Sequence, residues 1–381
     1  MIYLDHAATS PMRPEVADAM ARWWGVPANP ASVHRAGQRA AAALEEAREQ
    51  VAALVHGRSE GVVFTSGATE ANHLFIAGAA RQADPERRVW VRSPIEHPCV
   101  FGATSRLQER GWSIQELPVD RDGVCQVGEL SVDTAGVSLM MANHETGAVQ
   151  PIQDALRAAA AVGAVLHVDA TQAAGKRALD LRAAQGVVVS GHKIGGPPGI
   201  GALILQDGDP FPPLLPGGSQ ERGRRPGTVP TALAVGFGEA SRLALKTQEE
   251  QQQKLRSLRC YLEGELQKLG ARIVGPEQKG ADPSPELSSR INGITLAIFE
   301  GLRGESIVQA LDIRGLCLSS GAACASGSVK ASPVLTAMGD PAPSGGVRVS
   351  LGWTSTQADV EALLAALPSV LEGVRAAARW G

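Results

Sequence analysis

The chain has 381 residues, of which 44% are hydrophobic and 20% charged, and its net charge is −3. This describes a globular protein large enough for two domains, with no basic footprint for nucleic acid. No apolar run approaches the roughly 20 residues that a membrane span requires. The opening residues 1–6 lack the basic head and apolar core of a secretion signal, so the expected compartment is the cytoplasm.

Residues 1–14 read as extended chain. Residues 31–57 read as a long helix, with Leu44, Val51, Leu54 and Val55 on one face. Short valine-rich runs follow at 62–64, 89–91, 137–141, 165–168, 187–189 and 202–205. Helical patterns such as 70–80 and 154–162 separate several of them. The alternation predicts an α/β fold of βα units around a mostly parallel sheet. Residues 206–230 are dense in Pro and Gly and read as a long ordered loop. Residues 232–269 read as one long helix with a polar middle at 247–254, bridging to a second domain. Strands near 294–298 and 347–350 and helices near 306–313 and 357–379 complete the pattern. The expected division is a large domain over 15–250 and a small domain made of 1–14 and 251–381.

Polar residues gather where these strands end. Phe64-Thr65-Ser66-Gly67-Ala68-Thr69-Glu70 is a strand, a glycine turn and a helix start. Ala68 and Thr69 either cradle an anion at the helix N-terminus or merely begin and cap the helix. No GxxxxGK[ST] loop is present. Glu96-His97-Pro98 places His97 for ring stacking, for proton transfer or as a buried neutral imidazole. Asn143 either donates to a ligand oxygen or stabilises its own turn. Asp169 closes an apolar strand, where a buried carboxylate needs a partner such as a protonated ring nitrogen. A metal reading of His167 and Asp169 lacks a third ligand at suitable spacing, so no metal is expected. Ser190-Gly191-His192-Lys193 ends the run Val187-Val188-Val189 and delivers a lysine to the carboxyl end of a strand. A phosphate cradle, a histidine, an asparagine, an aspartate and a lysine at five strand ends are together what pyridoxal phosphate requires.

At this point the sequence resembles the class V, fold-type I pyridoxal-phosphate enzymes, and among them the NifS/IscS-like cysteine desulfurases. The motifs that carry the resemblance span nearly the whole chain. Besides those above they include Tyr3-Leu4-Asp5-His6-Ala7-Ala8-Thr9, Asn29-Pro30-Ala31-Ser32-Val33-His34, His167-Val168-Asp169-Ala170-Thr171-Gln172, Gln220-Glu221-Arg222-Gly223 with Gly227-Thr228, and Ser319-Ser320-Gly321-Ala322-Ala323-Cys324. The resemblance implies a large domain built on a mostly parallel seven-stranded sheet between helices, and a smaller α+β domain carrying the catalytic cysteine. It implies that Lys193 forms the Schiff base with pyridoxal 5'-phosphate, that Asp169 pairs with the ring nitrogen, and that Gln172 bonds the ring hydroxyl with Asn143 close by. His97 would stack on the ring. Ala68, Thr69, Ser190 and His192 would hold the phosphate. Thr228 would reach the cofactor of the other subunit, which implies a homodimer. Arg348 would clamp the substrate carboxylate, with Asn143 beside it, since a guanidinium fork matches that group.

The five cysteines form no CxxC pair, so neither a disulfide framework nor a zinc knuckle is expected, and one reactive thiol is left room. Cys324 stands in a run of small residues that should move freely. The implied reaction has Lys193 removing the α-proton of L-cysteine and the Cys324 thiolate taking its sulfur, leaving alanine and a persulfide for a sulfur-acceptor protein. Relatives serve iron–sulfur assembly, tRNA thiolation and DNA sulfur modification. Cys125, Cys260 and Cys317 read as packing residues, and the family pattern assigns Cys99 no role. The chain departs from that pattern at His144, Gly195 and Pro226. The alternatives are a selenocysteine lyase, a class V aminotransferase, which would not need Cys324, and a scaffold without chemistry, against which Lys193, Asp169 and Arg348 speak.

Overall fold

The computed structural model describes residues 1–206, 211–277, 289–320 and 331–378. In chain order its strands are β1 (Ile2–Tyr3), β2 (Val62–Thr65), β3 (Val89–Arg92), β4 (Ser113–Glu116), β5 (Thr134–Ser138), β6 (Val165–Asp169), β7 (Gly186–Ser190), β8 (Gly201–Leu205), β9 (Ala271–Val274), β10 (Ile294–Phe299), β11 (Leu316–Cys317) and β12 (Gly346–Ser350). The helices are α1 (Pro14–Ala21), α2 (Arg35–Ala53), α3 (Ala68–Gln82), α4 (Pro98–Gln108), α5 (Ile152–Val162), α6 (Thr231–Lys246), α7 (Gln248–Lys268), α8 (Gly304–Asp312), α9 (Pro333–Ala337) and α10 (Gln357–Ala378).

Seven strands form the large sheet in the order β2-β8-β7-β6-β5-β3-β4. The pairs from β4 through β7 are parallel, while β8 runs antiparallel to both β7 and β2. Residues of β5, β7 and β8 are buried throughout, which is why they show no polar alternation. One apolar cluster joins one side of this sheet to α2, α5 and α6, and another packs α3 and α4 against the other side. A three-stranded antiparallel sheet, β12-β10-β9, lies under α7, α8 and α10 with its own apolar cluster. The expected α/β class and mostly parallel seven-stranded sheet are therefore what the chain forms.

Four expectations shift. The strand expected at 137–141 is Thr134–Ser138, although the N–H groups of Leu139 and Met141 still bond the carbonyls of His167 and Asp169 beyond its last residue. The single helix expected over 232–269 is two, interrupted at Thr247, where ψ turns to 8° and the hydroxyl bonds back to the Leu243 carbonyl. α1 and α4 went unread, although each begins with proline at its first turn, a helix-start signal. The edge strand β4 is largely exposed and carries no apolar pattern to find. Among the described residues no helix is long and apolar enough to cross a membrane.

Candidate active site

The parallel strands end on one side of the large sheet, and the polar residues of the sequence collect there. Lys193 sits in the 3-10 turn Gly191–Lys193 directly after β7. Its Nζ donates to the carbonyls of Ala7 and Ala8 at 2.5 and 2.7 Å. The N-terminal segment thus lies across the site, and Ala7 N–H ties it to Ser350 Oγ of β12 at 2.9 Å.

Asp169 ends β6 and is buried. Its Oδ1 accepts from Thr171 N–H and its Oδ2 from Asn72 Nδ2, both at 2.9 Å. Both donors are neutral, so the carboxylate is buried without a cationic partner among the described residues, a costly arrangement that a protonated ligand would relieve. Asn72 was missed in the sequence. It stands on the otherwise apolar inner face of α3 and is fully buried, and a polar residue on that face was the available signal. Its Nδ2 also bonds Cys99 Sγ at 3.1 Å. Burial and then Asp169 push that thiol up to about 12, so Cys99 is an inert hydrogen-bonding neighbour.

His97 caps α4, its Nδ1 accepting from Cys99 N–H at 3.3 Å. Burial holds it below the usual imidazole range. The ring of His144 meets it edge-on with centroids 5.6 Å apart. His144 is pressed well below its usual range by burial, then by His97, Arg348 and Lys193. It therefore stays neutral, and its 3.8 Å approach to Glu145 is no ion pair.

Asn143 is occupied by its own turn. Its Oδ1 accepts from the N–H groups of Glu145 and Thr146 at 2.9 Å, and its Nδ2 donates to the Ile95 carbonyl. Of the two roles open to it in the sequence, the turn is the one these bonds display. Arg348, in the middle of β12, reaches across from the small sheet. It donates to Asp5 Oδ1 at 2.8 Å and to the His144 carbonyl at 3.0 Å, while its Nε has no partner among the described residues. Asp5, not singled out in the sequence, therefore sets the direction of the guanidinium.

At the start of α3, Gly67 provides no side-chain cap, and a Cβ added to it would meet nothing within 4 Å. The first turn, with Ala68 and Thr69, faces open space with its amide groups and positive dipole end. A Cβ at Gly201 would instead come within 2.8 Å of the Gly67 backbone, so glycine in β8 lets this turn pack closely. Glu70 accepts from Ser66 N–H at 2.6 Å and pairs with Arg225 at 2.8 Å. That pair docks the loop carrying the exposed Thr228 beside the turn. Ser190 is buried at the end of β7, and His192 Nδ1 lies 3.1 Å from Thr9 Oγ1. Gln172 donates from Nε2 to the Ala7 carbonyl and accepts at Oε1 from Lys176, both at 2.9 Å. Cys324 lies outside the described residues. Among the described residues no group of three or more His, Cys, Asp or Glu could hold a metal.

An uncapped helix start facing open space, a buried carboxylate lacking a cation, and a lysine at the neighbouring strand end fit the phosphate, ring nitrogen and aldehyde of pyridoxal phosphate. Comparison with known proteins agrees with this geometry. The sequence pattern of the aminotransferase class-V family matches residues 2–363. An IscS-like cysteine desulfurase of Mycobacterium tuberculosis is 40% identical over 99% of this chain and 98% of its own. The cysteine desulfurase IscS of Dictyoglomus turgidum is 35% identical over 98% of this chain and 95% of its own. Among solved structures, a NifS-like protein superposes with a TM-score of 0.87 at 30% identity, covering 97% of this chain and 99% of that one. SspA in complex with cysteine superposes with a TM-score of 0.76 at 28% identity, covering 92% and 99%.

Proposed function

We infer the roles of individual residues from one premise: the chain belongs to the aminotransferase class-V family and is a cysteine desulfurase. Its cofactor is pyridoxal 5'-phosphate, which when bound supplies an electron sink for the α-carbon of an amino acid. Lys193 would hold the aldehyde of the cofactor, and its amine would take and return the proton at the substrate α-carbon. The Ala7 and Ala8 carbonyls hold that amine in the site beforehand. Asp169 keeps the ring nitrogen protonated, and Asn72 and the Thr171 amide hold the carboxylate in place. The first turn of α3 with Thr69, joined by Ser190 and His192, binds the phosphate. His97 covers the ring face. Arg348 binds the carboxylate of L-cysteine, its Nε being the guanidinium atom with no partner among the described residues.

The Cys324 thiolate attacks the sulfur of the substrate. A sulfur–sulfur bond forms, the Cβ–sulfur bond breaks, and the electron pair left on Cβ takes a proton. The products are L-alanine and a persulfide on Cys324, which a sulfur-acceptor protein collects. The chain works as a homodimer in which Thr228, exposed on its docked loop, completes the partner's phosphate site.

The observation that carries this reading is the buried Asp169 without a cationic partner among the described residues, one strand from Lys193. The test is a pair of variants. Lys193→Ala is expected to abolish the visible absorbance of the purified protein. Cys324→Ser is expected to keep that absorbance but to lose the added sulfur atom seen by mass spectrometry after incubation with L-cysteine. Full sulfide and alanine production by Cys324→Ser would refute the sulfur-transfer role and favour a lyase.

A further inference from the structure

Lys176 follows Gln172 by four residues, in the turns after β6, and no step above uses it. It is half-buried, and its Nζ donates to Gln172 Oε1 at 2.9 Å. A lysine ammonium has three donors and no acceptor, so only the oxygen of the amide can face it. At the other end of the same amide, Nε2 donates to the Ala7 carbonyl, which can only accept. Two neighbours of opposite character therefore impose one orientation. A flipped amide would set NH2 against ammonium and oxygen against carbonyl.

The ammonium form, which the lock requires, is held there at a cost and is present below about pH 7. Burial first, then Lys193 and Arg348, press Lys176 down to about 7. No carboxylate pairs with it among the described residues. A neutral apolar side chain would avoid that cost but would leave the amide held at the Ala7 end alone.

We propose that Lys176 is a positioning residue that locks the Gln172 amide with its N–H groups toward the pocket, so that Gln172 acts on the cofactor ring oxygen as a donor. The oxygen of an unlocked amide would face the negative ring oxygen with another lone pair. This inference rests on the pyridoxal phosphate reading.

The experiment titrates pyridoxal 5'-phosphate into the apo forms of the wild type, Lys176→Met, Lys176→Arg, Gln172→Ala and the Lys176→Met/Gln172→Ala double variant. Affinity and the wavelength of the bound visible band are both read. Lys176→Met and Gln172→Ala are each expected to weaken binding about tenfold, the scale of one hydrogen bond to a charged group. Both should move the band in the same direction. The double variant is expected to bind no more weakly than Gln172→Ala alone, the mark of two residues acting through one bond. Lys176→Arg, also a pure donor, should restore binding to within about twofold. A Lys176→Met variant that binds like the wild type, or a double variant whose losses add, overturns the inference. A wild-type chain that takes up no cofactor overturns the cofactor reading itself, and with it this inference, by a different observation.

Discussion

Asp169 shows how much one side chain depends on its immediate neighbours. The residue was visible in the sequence because a carboxylate at the end of an apolar strand calls for a partner. The amide that holds it, Asn72, lies 97 positions earlier, on another element. An Asn72→Ala substitution leaves Asp169 Oδ2 and Cys99 Sγ without that donor. Loss of one such bond to a charged group is worth about 1.5–3 kcal/mol, so affinity for pyridoxal phosphate should fall by at least about tenfold. Cofactor titration of the folded variant checks this, and unchanged affinity would remove Asn72 from the site. The same dependence governs Arg348, which points at the pocket because Asp5 and the His144 carbonyl hold it. Asp5→Ala is expected to raise KM for L-cysteine several-fold with little change in kcat, since it loosens a group that binds ground and transition states alike. Steady-state kinetics separate the two parameters.

Single elements carry these side chains, and their ends matter more than their middles. α3 begins uncapped at the turn proposed to hold the phosphate, whereas α4 begins on His97, whose ring caps the helix. The 3-10 turn Gln220–Gly223 is held by a buried ion pair. Glu221 receives both ends of the Arg48 guanidinium and also the Phe64 N–H at 2.7 Å. It does so although Glu221 and Arg222 both have positive φ, at 50° and 57°, a conformation that costs a non-glycine residue energy. This turn fixes the start of the loop that bears Thr228. Glu221→Ala removes the buried carboxylate of Arg48 and leaves it the exposed Glu45 at 3.0 Å and the Val62 carbonyl, a loss that typically costs up to about 3–5 kcal/mol. A matching loss in the urea unfolding free energy is the expected outcome. A loss below about 1 kcal/mol would show that the Arg48 guanidinium finds another partner.

For the whole molecule, the buried titratable groups predict how stability varies with pH. Burial, then the Asp169 charge, raises Glu96 to about 8, and burial raises Glu145 to about 7. Carboxyls raised on folding stabilise the fold below their unfolded range near 4.5, and that contribution is lost as pH rises through 7 to 8. His6 is lowered to about 4 and His167 is also lowered, chiefly by burial. Their contribution is present above 6.5 and is lost as pH falls toward 4. The two effects oppose each other between about 4.5 and 6.5. The thermal midpoint of the apo protein is expected to fall below that window and again above it up to about pH 7, beyond which Lys176, itself lowered to about 7, regains stability as pH rises. Glu96→Gln should flatten the alkaline fall and leave the acid fall unchanged. A variant and wild type with parallel profiles above pH 6.5 would show that Glu96 is ionised in the fold.

The chain by itself determined the α/β class and the strand ends at which Lys193, Asp169 and Thr69 stand, because periodicity and small turn residues are local properties of adjacent positions. It carried no local sign of the break at Thr247 or of the exposed edge β4. Only the tertiary structure decided which residues complete each group: Asn72 for Asp169, Asp5 for Arg348, Lys176 for Gln172, and the Ala7 and Ala8 carbonyls for Lys193. Most of these partners stand on separate elements, and hydrogen bonds depend on distance in space, which sequence spacing does not encode. Even Lys176, four residues from Gln172, acquires its meaning from the Ala7 carbonyl that the N-terminal segment brings across the site.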